Sequence, residues 1–160
     1  MTQPHRLTDT VKILHKIAVV SGEYVLLLRR HAEAHSRPDQ WDLPGGNAEW
    51  PETTSDQLVE HLHAGDVVRE LEEETGIIFD AEQLGQPVFF DTFFEPTKPM
   101  YTVAVGWRIV LPNRQDITLS REHSEYVWSP RTEIVEYDFG FAGGPDGFLT
   151  QIISLAFQQP

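Results

Sequence analysis

Three carboxylates, Glu70, Glu73 and Glu74, fall within the run Arg69-Glu70-Leu71-Glu72-Glu73-Glu74-Thr75-Gly76. On a helix, positions i, i+3 and i+4 share a face, whereas Glu72 is rotated towards another. Like charges at that spacing repel one another, so the cluster costs stability unless something positive sits on it. A triangle of oxygen ligands with few nitrogens and no sulfur suits Mg2+ or Mn2+. Arg69 lies four positions before Glu73 and can pair with it, which would orient the carboxylate. The competing reading is a solvated acidic face, the ordinary fate of an isolated E-x-x-E-E. The surroundings of the cluster decide between the two.

The composition narrows the field. A chain of 160 residues with 40% hydrophobic and 23% charged residues and a mean hydropathy of −0.32 is that of a single soluble domain, residues 1–160. No apolar run approaches the ~18 residues of a membrane span, and the first ten residues carry no apolar signal segment. A cytoplasmic location without a membrane partner is therefore the expectation. The absence of cysteine excludes disulfides, thiolate nucleophiles and cysteine-based zinc sites. A formal charge of −13 argues against long nucleic acid, whose binding rests on Lys and Arg. It leaves room for a small phosphorylated substrate once divalent cations screen the acidic site.

The elements that must hold the cluster are legible in outline. "ILHKIAVV" and "GEYVLLLRR" read as two strands joined by a Ser21-Gly22-Glu23 turn. "HAEAHSRPDQ" reads as a loop, and in "WDLPGGNAEWPE" the Pro and Gly argue against regular structure. From Ser55 to about Thr75 the spacing predicts a helix, with Leu58, Leu62, Val68 and Leu71 on one face, Ser55 or Asp56 as cap and Gly76 at the C-cap. Gly65-Asp66 is a place where it could break. "PVFFDTFF", "MYTVAVGWRIVL" and "EYVWSP" are strand-like. Residues 116–124 read as a loop, 143–147 as a turn cluster and "FLTQIISLAF" as an amphipathic helix. The irregular alternation predicts an α/β fold, a mixed sheet flanked by helices.

Upstream of the glutamates lies a glycine-rich loop, and with it the chain resembles the Nudix hydrolase family, whose box reads G-x5-E-x7-R-E-U-x-E-E-x-G-U, with U a bulky aliphatic residue. Gly46 and Glu52 match its start, and Arg69 to Ile77 fill every fixed position of its end. "QWDLPGG" at 40–46 resembles the usual lead-in. The chain departs in one respect: sixteen residues (53–68) separate Glu52 from Arg69 where the pattern has seven. Longer loops close at little cost, so an insertion at about 53–63 is tolerable, either as a surface elaboration or as a lid or dimer contact; a homodimer stays open. The resemblance implies a Nudix-type α/β/α sandwich. It also implies Glu70, Glu73 and Glu74 as metal ligands, Gly45 as a backbone ligand, and Glu52, Arg69 and Gly76 as structural members of the box. The implied reaction is Mg2+- or Mn2+-dependent attack of water on a diphosphate linkage. A nucleoside triphosphate leads as substrate, ahead of ADP-ribose or another nucleotide sugar and a dinucleoside polyphosphate. A non-catalytic nucleotide-binding regulatory domain is the rival reading.

The reaction needs a base for the attacking water. Glu70 could serve but is a poorer base while bound to metal. The segment "EHSEYVW" resembles the family's later acidic segment, with Glu122 the first choice, Glu125 the second and His123 a weaker candidate. Arg29 and Arg30 at the end of the second strand could meet phosphate oxygens, and the loop glycine Gly46 lies alongside. Phe93, Phe94 or Tyr101 could stack on a base, although strand aromatics more often belong to a core, and Trp41 and Trp128 are similarly ambiguous. Asp138-Phe139-Gly140 spells a kinase motif without its companions and reads as a turn. The pairs His31/His35 and His61/His63 read as surface histidines.

Overall fold

The computed structural model describes residues 11–49, 60–95 and 98–160. β1 (Val11–Ser21) and β2 (Tyr24–Arg30) form from two apolar runs, and Gly22 makes the turn between them at a φ of 57°. The expected hairpin pairs only beside its turn, Val20 with Val25 and Ser21 with Tyr24. Beyond that the strands take other partners. β1 runs parallel to β5 (Met100–Val110), and β2 runs antiparallel to β6 (His123–Pro130). β4 (Phe89–Glu95) covers the far side of β5. Trp41–Asp42 pairs with Arg29 and Leu28 as a two-residue β3, where Pro and Gly argued against a strand; Pro44 confines it to that length. The result is one mixed sheet in the order β3-β2-β1-β5-β4, with β6 also against β2.

Each face of this sheet is covered. Ile17, Val19, Leu26 and Leu28 point to one side and pack with Val67 and Leu71 of α1 (Ala64–Thr75). Ala18, Val20, Val25 and Leu27 point to the other and pack with Leu149, Ile152 and Ala156 of α2 (Phe148–Gln158). Strands buried on both faces read as unbroken apolar runs, as β1 and β2 do. α2 places Phe148, Leu149, Ile152, Ile153 and Ala156 on one buried stripe, each large side chain contributing roughly 1.5–3 kcal/mol. Its close approach depends on Gly106, where a Cβ would stand 2.5 Å from Ile152 Cγ1 and 2.8 Å from Phe89 Cβ.

The helix carrying the glutamates begins at Ala64, later than the spacing predicts. Residues 60–63 form a turn with His61 at a φ of 51°. The expected start at 55–59, together with Glu52 and most of the insertion, lies outside the described residues. Gly65-Asp66 does not break the helix, because both fall in its first turn, where the amides have no intrahelical partner. Val67, not Val68, shares the buried face with Leu71, as an i, i+4 pair must. Gly76 ends the helix as expected, at a φ of 73° with its N–H donating to the Glu72 carbonyl at 2.8 Å. Short 3-10 turns at Arg131–Glu136 and Gly140–Ala142 lead into α2, and the Gly140 N–H donates to Asp138 at 2.8 Å, the turn expected there. Among the described residues no helix is long and apolar enough to cross a membrane.

Candidate active site

The loop after β3 is laid against the edge of β1 that β2 leaves open. Ile17 N–H donates to Pro44 O at 2.8 Å, His15 N–H to Gly46 O at 2.9 Å and Ala48 N–H to Ile13 O at 2.8 Å. Gly45, at a φ of 134°, has no room for a side chain, since a Cβ would lie 2.1 Å from the His15 carbonyl oxygen. At Gly46 a Cβ would lie 2.7 Å from the Glu70 carboxylate. The two glycines thus let the loop backbone settle directly onto the carboxylates of α1.

Of those carboxylates, Glu74 is buried and accepts the Gly45 N–H at 2.7 Å. Burial pushes its pKa up to about 8; Lys16 and the Gly45 amide oppose the rise, and Asp42 and Glu70 add to it. Glu70 is half-buried and also raised, chiefly by burial, with Arg69 opposing and Glu73 and Glu122 adding. Glu73 stands further out, its carboxylate 3.1 Å from Arg69 Nη1. Arg69 gathers four acids, with Glu70 at 3.0 Å and Glu49 and Asp66 at 3.5 Å besides Glu73. On the loop side the partner of Arg69 is Glu49, whose N–H also donates to the Asp66 carboxylate at 2.9 Å and ties the loop to the helix. With Arg69 drawing on Glu70 and Glu73 and the Gly45 amide holding Glu74, the three share one end of the helix without closing on a single point. Among the described residues, the set of ligating side chains that does converge is His15, His63 and Asp66.

The largest polar feature that motif reading missed is Asp42. It is completely buried and ion-paired with Lys16 at 2.9 Å, Arg30 at 3.1 Å and Arg37. Burial alone would raise its pKa, but Lys16 and Arg37, with help from Arg30, hold it down at about 2. Lys16 also donates to the Leu43 carbonyl at 3.2 Å, so the network anchors the loop at its first residue. A lysine inside an apolar strand and an aspartate directly before L-P-G-G were the available signals. Arg30 is consequently committed to Asp42 and to Ser36 O, and Arg29 to Asp39 O and Glu125.

Arg30, His31, Arg121 and Glu122 line a cavity of about 590 Å³. Glu122 is exposed there, and its charge reaches Glu70. Glu125 is held by Arg29 at 3.2 Å. His123 is buried, and burial, followed by Lys16, keeps its pKa down at about 4. A neighbouring cavity of about 390 Å³ shares His35 and Ser36 with the first and is lined by Phe93, Phe94, Lys98 and Phe141. Phe94 and Phe141 are exposed, whereas Phe93 stacks on Phe148 at 5.5 Å and belongs to the α2 packing. Tyr101 lies against Phe94 at 4.9 Å. Trp41 packs edge-on against Tyr137, and Trp128 is tied to Gln115 O at 2.9 Å.

A comparison with curated proteins finds no match. Among solved structures, the MutT protein of Methanosarcina mazei Go1 superposes with a TM-score of 0.69 at 24% identity, over 96% of this chain and 98% of that one. The NUDIX domain of Shewanella oneidensis NrtR, solved with ADP ribose, gives 0.63 at 18% identity over 93% and 86%. A bifunctional NMN adenylyltransferase/ADP ribose pyrophosphatase of Francisella tularensis, solved with AMP and a manganese ion, gives 0.62 at 23% identity over 92% of this chain and 41% of that one. At these identities the likeness is one of fold. Residues 15–148, a stretch running from the buried edge of β1 to the first residue of α2 and so enclosing both the loop and the glutamate helix, match the NUDIX domain model, and the chain belongs to that family of hydrolases.

Proposed function

We propose that this protein hydrolyses the phosphoanhydride bond of a nucleoside diphosphate linked to another group, with a nucleoside triphosphate as leading substrate. The observation that carries the reading is the pair Glu70 and Glu74. Both are raised in pKa by burial, and both lie beneath a backbone loop that two glycines allow to approach. Carboxylates withdrawn from water and repelling one another are completed by a cation. Glu70, Glu73 and Glu74, with the Gly45 backbone, would hold Mg2+ or Mn2+, an all-oxygen donor set that fits either ion. Held there, the ion would supply positive charge to the phosphate oxygens and make the attacking water more acidic.

The chain's own groups supply the rest. Glu122 takes the proton of the attacking water as its oxygen bonds to phosphorus and the bridging P–O bond breaks. Arg121 and Arg30 face the phosphates in the same cavity, with Arg30 steadied by Asp42. Arg29 lies beyond it on Glu125. The base of the nucleotide extends towards Phe94 and Phe141, where it can stack. The ligands named with the similar folds, AMP and ADP ribose, place adenine nucleotides and ADP-ribose among the first compounds to try.

The test is a screen of nucleoside triphosphates, nucleotide sugars and dinucleoside polyphosphates with Mg2+ or Mn2+, reading released phosphate and nucleotide. Turnover of one class, abolished in Glu73→Gln while the circular dichroism spectrum is unchanged, is the expected result. No turnover of any of them, with binding retained, would replace the hydrolase reading by that of a nucleotide-binding domain.

A further inference from the structure

Three side chains outside the proposed glutamate set converge where β1 meets the start of α1. His15 comes from the strand, His63 from the N-cap of the helix and Asp66 from its first turn; their ligand atoms lie within 4.8 Å of one another. His15 has no exposed surface. The Trp107 indole N–H donates to His15 Nδ1 at 3.0 Å, which leaves Nε2 buried without a partner. The His63 ring lies 4.8 Å from that of His15, and its Nδ1 is also buried and unpartnered. Orphaned buried nitrogens are rare because each forfeits its hydration. Two of them beside a carboxylate call for a shared occupant.

We propose that His15 Nε2, His63 Nδ1 and Asp66 bind a zinc-type divalent cation, separately from the ions assigned to Glu70, Glu73 and Glu74. Two imidazoles and a carboxylate form the donor set that late first-row cations prefer, whereas Mg2+ favours oxygen alone. An anion would face the Asp66 carboxylate. Burial, then the neighbouring His63, keeps the His15 pKa down at about 4, so the ring is neutral at neutral pH and needs only a change of tautomer to offer a lone pair at Nε2.

The indole bond has a consequence for the proton. With Nδ1 accepting from Trp107, neutral His15 carries its hydrogen on Nε2. Coordination at Nε2 moves that hydrogen to Nδ1, with no net proton released, and the indole N–H loses its acceptor. Trp107 lines a cavity of about 260 Å³ together with His63, Leu84 and Gly85, where water can take the freed N–H. The ion also competes with Arg69, 3.5 Å from Asp66, for that carboxylate. It would staple the N-terminus of the glutamate helix to β1.

The experiment uses chelator-stripped, 15N-labelled protein titrated with Zn2+, reading the imidazole nitrogens, the Trp107 indole and the melting temperature. It is run in the natural sequence and in E70Q/E73Q, so that zinc on the glutamates is told apart. Expected at one equivalent is a His15 switch from the Nε2–H to the Nδ1–H tautomer, a shift of the Trp107 indole signal and a raised melting temperature, all persisting in E70Q/E73Q. His63→Ala, or Asp66→Asn should that variant not fold, weakens zinc binding by at least about tenfold. A His15 that keeps its Nε2 hydrogen with zinc bound, a response lost in E70Q/E73Q, or unchanged affinity in both substitutions overturns the proposal. Nucleotide turnover is not part of the readout, so this site and the hydrolase reading stand or fall separately.

Discussion

Two buried carboxylates bracket the same loop and meet opposite fates. Asp42, just before it, is held ionised with a pKa of about 2 against its burial by Lys16, Arg37 and Arg30. Glu74, beneath it, has one amide and the field of Lys16, and its pKa rises to about 8. The burial penalty is comparable in kind; what differs is how much of it the protein itself offsets. Where the carboxylate is structural, the fold supplies the countercharge. Where it lies in the proposed metal site, the fold withholds it and leaves the shortfall to an ion from solution.

Glu74→Gln sharpens this contrast most. Turnover should fall on the order of 10³-fold, because a metal ligand supplies several kcal/mol of charge stabilisation. Stability should move the other way in chelated protein. The unfolded chain releases the Glu74 proton near 4.5, whereas the folded chain keeps it until about 8. Between those values the folded state binds more protons, so stability falls as pH rises. Thermal melts near pH 5 and near pH 8 check the sign: the variant should lose much of that slope, and identical slopes would break the comparison.

Asp42→Asn should do the reverse, removing stability rather than chemistry. Leaving three cations around a neutral amide costs about 3–5 kcal/mol, or on the order of 10 °C in melting temperature for a chain of this size. Its kcat per folded molecule should change far less than that of Glu74→Gln. A fall in kcat as deep as that of Glu74→Gln would mean that the arginine-lysine network takes part in the reaction. The smallest effect is expected at Gly106→Ala, where the added methyl meets Ile152 and Phe89 rather than either carboxylate. It should cost about 1–3 kcal/mol by overpacking and leave KM unchanged, marking the α2 side as packing alone.

The contrast between these regions also explains what could be read from the chain. Features set by neighbours in sequence were legible: the turn at Gly22, the helix carrying Glu70 to Glu74, its cap at Gly76 and the terminal helix all follow from local spacing. Features set by distant pairs were not. Asp42 depends on Lys16, Arg30 and Arg37, which only the folded sheet brings together. The Trp107 bond to His15 joins residues far apart on β1 and β5, and His63, read as a surface residue, is drawn in against that pair. The late start of α1 escaped notice because helical periodicity persists through residues that form a turn at 60–63. The metal-binding roles expected of the glutamates came from a motif, and turnover in Glu73→Gln and Glu74→Gln is what tests them.

The loop's three backbone bonds to β1, made by Ile17, His15 and Ala48, make it a surrogate strand. The loop amides that donate inward, Ala48 to Ile13 and Gly45 to Glu74, should therefore exchange with deuterium on the timescale of the central strands, far more slowly than those of an ordinary surface connection. A rigid cradle of this kind cannot adapt to its ligand by opening, which leaves discrimination between substrates to the side chains at the cavity rim.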